Sequence, residues 1–361
     1  MTEMAARRGP HPLALSYLAL FAVLIALAAA ISFLGNPHAG DPVVVMELQG
    51  VAPRPHAQMA APPQTPPRQA SEIAAPIPTP SPESAPPQKI TRQIYSGAAL
   101  VADPALVENT PAGPLPRIAD DGTTPMRAYA PAAISDGRPR IAVVIGGLGI
   151  SATQTLAALK GLPPGVTLAF APYAADAQHW VAQARRLGHE ILLEVPMEPY
   201  DFPDSDPGPH TLRSGVGEDA NTERLVWALT RFSGYAGVTN LLGGRFMADA
   251  GSLEPMMTFL ARRGLMFYDN GAATHSAAPD VASRVGVSFA QSDSTIDKIQ
   301  TAMEIDRRLS ALENEARANG SAAGSGQIYP VTIERVRSWA QGLSGRGFVL
   351  VPASAIVSQS K

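Results

Sequence analysis

The chain has 361 residues, of which 45% are hydrophobic and 16% charged, so it can form one substantial globular domain and further segments besides. It contains no cysteine, which excludes disulfide frameworks, thiolate zinc sites, iron–sulfur clusters and cysteine nucleophiles. The formal net charge is −3 and no dense run of Lys and Arg occurs, which argues against a nucleic-acid partner.

The first predicted element is a single transmembrane helix over residues 13–34. This run contains no charged residue, and at about 1.5 Å per residue it can cross a hydrocarbon core of about 30 Å. Arg7 and Arg8 precede it and Asp41 is the first charge after it, so residues 1–12 are expected in the cytoplasm and the rest in the periplasm. A cleaved signal peptide and a buried core helix are the alternatives. The sequence therefore predicts a single-pass protein of the inner membrane.

Residues 35–138 are predicted to form a disordered linker rich in proline and alanine. Twelve prolines fall between positions 53 and 87, and neither helical nor strand periodicity persists. Such a segment acts as a spacer that lifts a folded domain off the membrane. Its last part, residues 113–130, is less repetitive and is a candidate for an ordered arm along the domain.

From residue 139 the sequence alternates between short apolar runs and helical patterns. The predicted strands cover residues 141–145, 166–170, 190–195, 237–240, 265–268, 285–289 and 348–351. The predicted helices begin at Ser151 and then cover residues 176–187, 221–231, 253–263, 297–318 and 331–343. These repeated units favour an α/β fold with a parallel sheet covered by helices, either a (β/α) barrel or a doubly wound sheet. No glycine-rich phosphate-binding motif follows the first strand, and residues 324–326 are interpreted as a loop.

The residues that follow the predicted strands are the candidates for function, because functional groups of a (β/α) barrel lie at the carboxyl ends of its strands. They are Gly146, Gly147 and Gly149, then Glu194 and Glu198, then Asn240, Gly243 and Arg245, then Asp269 and Asn270, and finally Gln327 and Tyr329. In a barrel, these groups would surround one mouth.

Several motifs follow one another from residue 139 onward. They read IAVVIGGLGIS, LPPGVTLAFAPYA, ARRLGHEILLEVPMEP, PGPHTL, GYAGVTNLLGGRF, GLMFYDN and YPVTIERVRSWA. Together they resemble the divergent polysaccharide deacetylase family. The resemblance implies a domain over residues 139–356 with the distorted (β/α) barrel of glycoside hydrolases and deacetylases. It also implies an exported location and a role on glycans.

The same resemblance implies a catalytic metal site that this sequence lacks. Active polysaccharide deacetylases hold a metal ion with one Asp and two His, and a second Asp acts as general base. The positions that the resemblance assigns to these groups are occupied here by Gly146, Gly147, Glu194, Leu241 and Gln327. Glycine and leucine side chains offer no donor atom, and the glutamine amide is a weak, neutral ligand. We therefore expect no metal ion, no cofactor and no metal-dependent deacetylation at this place.

Other polar and aromatic groups remain at the expected mouth. The candidate substrate-binding residues are Glu194, Glu198, Asn240, Arg245, Asp269, Gln327 and Tyr329. Tyr200 is a further surface on which a sugar ring could stack. Glu194 and Asp269 are also candidate catalytic residues, because two carboxyl groups can perform acid/base chemistry on a glycoside. In the alternative interpretation Glu194 forms an ion pair with Arg245 and the other groups only satisfy strand ends.

The leading hypothesis is a membrane-anchored periplasmic protein whose deacetylase-like domain has lost its metal ligands. Its expected partner is an envelope glycan such as peptidoglycan, or an envelope protein, and its anchor holds it to the inner membrane. One alternative is an active carbohydrate hydrolase or deacetylase that uses Glu194 and Asp269. The other alternative is an envelope scaffold whose linker and barrel exterior contact membrane proteins.

Overall fold

The structure is a computed structural model that describes residues 103–131 and 136–357. The expected transmembrane helix at residues 13–34 and most of the expected linker lie outside these residues. Within the described part of the chain, no helix combines the length and the apolar character that crossing a bilayer requires.

An arm precedes the barrel and packs against it. It consists of a 3-10 turn (Pro104–Leu106), an antiparallel hairpin of β1 (Val107–Thr110) and β2 (Gly113–Pro116), and the short helix α1 (Pro125–Tyr129). Its buried apolar side chains are Leu106, Leu115, Met126 and Tyr129. Residues 103–131 are therefore ordered and not part of a disordered linker, because their apolar side chains are buried in the domain. The ordered arm begins at residue 103, ten residues before the sequence indicated.

Nine parallel strands form the main sheet. They are β3 (Arg140–Leu148), β4 (Thr167–Phe170), β5 (Ile191–Met197), β6 (Gly237–Leu242), β7 (Met266–Asp269), β8 (Phe289–Gln291), β9 (Ser294–Thr295), β10 (Ser321–Gln327) and β11 (Val349–Val351). Their order is β8-β7-β6-β5-β4-β3-β10-β9, and β11 pairs with the start of β3. The Tyr268 hydroxyl on β7 donates to the Gly324 carbonyl on β10 at 3.3 Å although four strands separate them in the sheet. The sheet is therefore curved into a half-barrel of the deacetylase type, and among the described strands β8 and β9 form its two open edges.

Helices cover the outside of the sheet and connect its strands. They are α2 (Ala152–Gly161), α3 (Ala177–Arg186), α4 (Glu218–Leu229), α5 (Gly244–Ala248), α6 (Ala250–Arg262), α7 (Ala278–Val285), α8 (Ala302–Asn319) and α9 (Pro330–Leu343). The expected N-cap is confirmed at Ser151, whose hydroxyl accepts a hydrogen bond from the main-chain N–H of Gln154. Thr301 caps α8 in the same way.

Two expectations for the last third of the chain were wrong. Residues 285–289 were expected to form a strand, but Val285 ends helix α7, and Gly286 terminates the helix with a φ of 71°. The strand begins only at Phe289. Residues 324–326 were expected to form a loop, but they lie inside β10, which is paired with β3 on one side and β9 on the other.

Two layers of apolar packing place the polar site. Side chains that alternate outward from the strands form a core with the helices, and these include Ile145, Leu193 and Phe267. Side chains that alternate inward form a second cluster inside the barrel, which includes Leu192 and Tyr268. This inner cluster also holds Met126 of the arm and Ala353 near the end of the domain. Inward positions further along the same strands, at their carboxyl ends, are polar.

Candidate functional site

Glu194 is the centre of a buried polar group at the carboxyl end of the barrel. The alternation along β5 turns Leu192 and Glu194 inward and Leu193 toward the helices. Glu194 is only 2% exposed. Its Oε1 accepts a hydrogen bond of 3.0 Å from the main-chain N–H of Gly147 on β3. A candidate residue from the third predicted strand thus meets one from the first.

Gly146 leaves the space that the Glu194 carboxyl group occupies. A Cβ atom at position 146 would collide with Oε1 of Glu194 and would lie 3.3 Å from Nε2 of Gln327. Gln327 is paired in register with Gly146 on the neighbouring strand β10. Gly146, Glu194 and Gln327 therefore converge, and three of the residues taken from strand ends in the sequence do lie together.

The electrostatics of Glu194 are those of a carboxyl group without a cation. Burial raises its pKa from the usual 4.5 to about 7, and the hydrogen bond from Gly147 offsets only part of this effect. Its second oxygen, Oε2, is buried and has no hydrogen-bond partner among the described residues. At neutral pH this group can therefore accept or release a proton.

The expected ion pair between Glu194 and Arg245 is wrong. Nη1 of Arg245 lies 3.7 Å from Oε1 of Glu198 instead, and the Arg245 side chain is more than half exposed. Glu198 also accepts a hydrogen bond of 2.7 Å from the main-chain N–H of Ser214 at its Oε2. Its main-chain carbonyl accepts from the N–H groups of Arg245 and Phe246. Glu198 therefore links the loop after β5 to the start of α5, and the Arg245 side chain lies against this loop and not against Glu194.

Asn240 is engaged in a reciprocal pair with Asn270. Its Oδ1 accepts from the main-chain N–H of Asn270 at 2.9 Å, and its Nδ2 donates to the Asn270 Oδ1 and to the Leu242 carbonyl. Asn270 donates in return to the Asn240 carbonyl at 2.7 Å. These bonds join the ends of β6 and β7. The Asn240 amide is thus used within the protein.

Asp269 is buried but lies on the other side of its strand. It shares the side of β7 on which Phe267 packs against the helices, whereas Tyr268 faces the barrel interior. Its Oδ1 accepts from the main-chain N–H of Gly271 at 2.9 Å, and its Oδ2 accepts from Nε2 of Gln291 at 3.4 Å. Burial raises its pKa. The structure does not bring the Asp269 carboxyl group into the group formed by Glu194 and Gln327.

The remaining candidates lie at the rim of the mouth. The Gln327 side chain is half-buried and its amide forms no hydrogen bond among the described residues, whereas its main-chain N–H donates to Asp297 at 2.6 Å. Tyr329 is half-buried and precedes α9. Tyr200 is 59% exposed, and its ring covers Gly244. Gln327, the two tyrosines and the exposed Arg245 are therefore the candidates that a ligand can reach.

Thr239 is a site residue that no sequence motif singled out. This residue lies on β6 directly opposite Glu194 in the strand register, and it has the inward orientation that alternates with the outward Val238. Its Oγ1 atom is buried without a partner among the described residues. The only sequence signal was a threonine inside the short predicted strand over residues 237–240. That signal does not reveal which residue stands opposite.

The side chains at this place do not fit a catalytic metal ion. The described residues contain no group of three or more His, Cys, Asp and Glu side chains placed to hold one. Three of their four histidines are engaged elsewhere: His179 bonds Gln183, His189 bonds the Val166 carbonyl, and His210 stacks on Trp227. The fourth, His275, is exposed. Burial lowers the pKa of His189 to about 4. Near Glu194 the further groups are the neutral Gln327 amide, the Thr239 hydroxyl and two glycines, and the carboxyl group itself fills the space beside Gly146.

Exposed apolar side chains follow several strands at this same edge of the sheet. Ile150 comes just after β3 and is 63% exposed, and Leu242 ends β6 and is 40% exposed. Ile299 and Met303, which follow β9, are 55% and 81% exposed. Together with Tyr200 they give the mouth an apolar border around a polar centre. Such a border is suited to the apolar faces of a ligand.

A family model identifies the type of domain, and several proteins are similar to the chain. Residues 143–357 match the family described as divergent polysaccharide deacetylase. The crystal structure of an uncharacterised protein from Agrobacterium tumefaciens C58 is similar with a TM-score of 0.67 and 39% identity, covering 68% of this chain and 100% of that one. The uncharacterised protein YibQ of Escherichia coli K12 is 25% identical over 224 residues, which are 61% of this chain and 68% of YibQ. An uncharacterised Haemophilus influenzae protein is 26% identical over 199 residues, 55% of this chain and 70% of its own.

Proposed function

The chain belongs to the divergent polysaccharide deacetylase family, and on this basis we propose that it is a cell-envelope protein whose barrel binds glycan without a catalytic metal ion. The observation that carries the proposal is the convergence of Gly146, Glu194 and Gln327 at the carboxyl end of the barrel. A metal site needs several side-chain donors around one point. Here one carboxyl group takes up that space, and one of its oxygen atoms is already bonded to a main-chain N–H.

Glycan binding is supported by the kind of groups that line the mouth. Sugar hydroxyls both donate and accept hydrogen bonds, and their rings present apolar faces that pack on aromatic side chains. The Gln327 amide supplies both a donor and an acceptor, and Tyr200 supplies an exposed ring at the border. Glu194 and Thr239 contribute acceptor oxygens behind them.

The location in the envelope rests on the N-terminal third of the sequence. We propose that residues 13–34 anchor the chain in the inner membrane, and that the proline-rich spacer carries the barrel into the periplasm. This location would place the mouth next to peptidoglycan. Alkaline extraction of membranes should leave the chain in the pellet, and external protease should cleave it in spheroplasts but not in intact cells.

The proposal is tested by measuring metal content and glycan binding on the same purified full chain. After dialysis we expect far less than one zinc, nickel or cobalt ion per chain, no acetate release from peptidoglycan, and retention on insoluble peptidoglycan. The variant Tyr200→Ala should weaken retention. Leu187→Ala is the matched control, because Leu187 is 48% exposed but precedes the amino end of β5. A stoichiometric metal ion together with acetate release that a chelator abolishes would overturn the proposal.

The alternative of a two-carboxylate hydrolase finds no support in the geometry. Both carboxyl groups would have to face one glycosidic bond, with one as acid and the other as base or nucleophile. Asp269 lies on the helix side of β7 and already accepts two hydrogen bonds. The scaffold alternative stays a prediction, and crosslinking to membrane proteins that persists in Tyr200→Ala would favour it.

A further inference from the structure

Two buried oxygen atoms without partners belong to residues that are paired across neighbouring strands at the mouth. Glu194 on β5 and Thr239 on β6 are paired in register, and both side chains turn into the barrel. Oε2 of Glu194 and Oγ1 of Thr239 are buried, and neither has a hydrogen-bond partner among the described residues. Because buried polar atoms are nearly always paired, an orphan pair at adjacent positions points to a missing donor.

No cation of the described protein supplies that donor. Arg245, a positively charged candidate residue at the mouth, pairs with Glu198. Within the described ranges 103–131 and 136–357, Glu194 forms no salt bridge. A buried carboxylate that lacks a cation is unfavourable, and binding one would relieve that penalty. A group that satisfies both oxygen atoms and compensates the carboxylate charge therefore carries a positive charge and several N–H donors.

A primary ammonium group meets these two demands together. It carries one positive charge and three N–H donors and has no acceptor atom. The site offers acceptors in matching number: Oε2 of Glu194, Oγ1 of Thr239 and the amide oxygen of Gln327. The Gln327 oxygen lies 3.1 Å from the point that a Cβ of Gly147 would occupy. An acetylated nitrogen has a single N–H and no charge, so it would leave Glu194 without its counterion.

A ligand can reach this site because its cover is light. Gly146 and Gly147 place no side chain over the Glu194 carboxyl group, and the side chain beside it, Gln327, is half-exposed and unbonded. By contrast Glu190, which also has a buried unpartnered oxygen, lies at the opposite end and accepts a hydrogen bond from the main-chain N–H of Ser354.

From these observations we propose that Glu194, Thr239 and Gln327 form a site for the primary ammonium group of an amino sugar. The barrel would then bind N-deacetylated glycan in preference to N-acetylated glycan. This inference rests on the proposed function, since it takes the mouth to be a glycan site and specifies which glycan it selects.

The test compares two ligands that differ only in the acetyl groups. Binding of a β-1,4-linked glucosamine tetramer and of its fully N-acetylated counterpart is measured by calorimetry at pH 7 on the full chain in detergent. We expect the free amine to bind about ten-fold more tightly, because charge-assisted hydrogen bonds are the stronger ones. Glu194→Gln should remove this preference, and Thr239→Val should reduce it. Glu190→Gln, an equally buried carboxyl at the other end of the barrel, should keep it.

Equal affinity for the two tetramers in the wild type would overturn the inference and leave the proposed function standing. A preference that survives Glu194→Gln would also overturn it, because the amine would then be recognised elsewhere. If neither tetramer binds, the proposed function fails together with the inference. Circular dichroism of each variant verifies that a lost preference is not a lost fold.

Discussion

Glu194 makes the stability of the fold depend on pH. Because burial raises its pKa from 4.5 to about 7, the folded chain keeps a proton that the unfolded chain releases between these values. Its stabilising contribution is complete below pH 4.5 and is lost as the pH rises through 7. The difference corresponds to at most about 3 kcal/mol in the free energy of unfolding.

Glu194→Gln should abolish this dependence, because the amide resembles the protonated acid in shape and cannot ionise. We expect the variant to equal the wild type at pH 4.5 and to exceed it by about 1–3 kcal/mol at pH 8, in urea unfolding followed by circular dichroism. Glu304→Gln is a control of opposite direction, since Arg307 and Arg308 lower the pKa of Glu304. An equal shift at both pH values would contradict the buried, unpaired state of Glu194.

Gly146→Ala should destabilise the domain through the same carboxyl group. The added Cβ atom would collide with Oε1 of Glu194, which the Gly147 N–H holds in place. We expect a loss of about 1–3 kcal/mol in the free energy of unfolding. In a Glu194→Ala background the carboxyl group is absent, so Gly146→Ala should destabilise that variant less than it destabilises the wild type.

The matched control for this substitution is Gly345→Ala, since a Cβ at Gly345 meets no atom within 4 Å and its φ lies outside the left-handed region. Its expected effect is within about 0.5 kcal/mol. Equal losses at positions 146 and 345 would show that crowding against Glu194 is not the cause.

The sequence predicted those residues of the candidate site that can be recognised from their position near the end of a strand. Glu194 stands near the end of a predicted strand, and a barrel brings strand ends together, so its place at the mouth was expected. Gln327 was placed there only by the segment before Pro330 and by the family resemblance, because its own strand was not predicted. The partner of Arg245 could not be predicted, because it depends on the path of the loop that brings Ser214 to Glu198. Thr239 was missed because the register between β5 and β6 cannot be read from either strand alone.

At the scale of the elements, strands were found where branched apolar residues form a run, as in β3 and β5. Strand β10 was missed because its sequence, SAAGSGQ, has low strand propensity. Its small residues are required by packing: a Cβ at Gly324 would lie 2.6 Å from Cδ1 of Leu312 on α8. Close contact between helix and sheet, a tertiary effect, thus overrides local propensity there.

Gly237 should be a sharper test of close packing within the sheet itself. It begins β6 opposite Met266 of β7, and a Cβ there would collide with the Met266 main-chain carbonyl. A backbone atom cannot rotate away, so Gly237→Ala must separate the two strands. We expect a loss of about 3 kcal/mol or more, measured by urea unfolding.

Gly217→Ala serves as the comparison for Gly237→Ala, because nothing lies within 4 Å of a Cβ at that helix start. Because Gly217 is the N-cap, where alanine is less favourable than glycine, its expected loss is about 0.5–1 kcal/mol, well below that at position 237. A mild effect at position 237 would mean that β6 and β7 are less closely paired than described.

At the scale of the whole molecule, the arm is part of the barrel domain and not of its spacer. Met126 of α1 belongs to the cluster inside the barrel, and its main-chain N–H donates to the Gly264 carbonyl. Arg263 donates to Glu108 and to the Pro116 carbonyl of the hairpin. The resemblance that begins at residue 139 identified the barrel but could not reveal the arm, because the arm lies before the matched motifs.

A chain that begins at residue 103 should therefore be more stable than one that begins at residue 136. Removal of the arm exposes the apolar surface that Leu106, Leu115, Met126 and Tyr129 cover. Burial of one such side chain is worth about 1.5–3 kcal/mol, and ordering the arm opposes this gain, so we expect a net loss of about 2–5 kcal/mol. Thermal unfolding and binding of a hydrophobic dye measure it. Met126→Ala in the longer chain should reproduce part of the loss, whereas equal stability of the two chains would assign the arm to the linker after all.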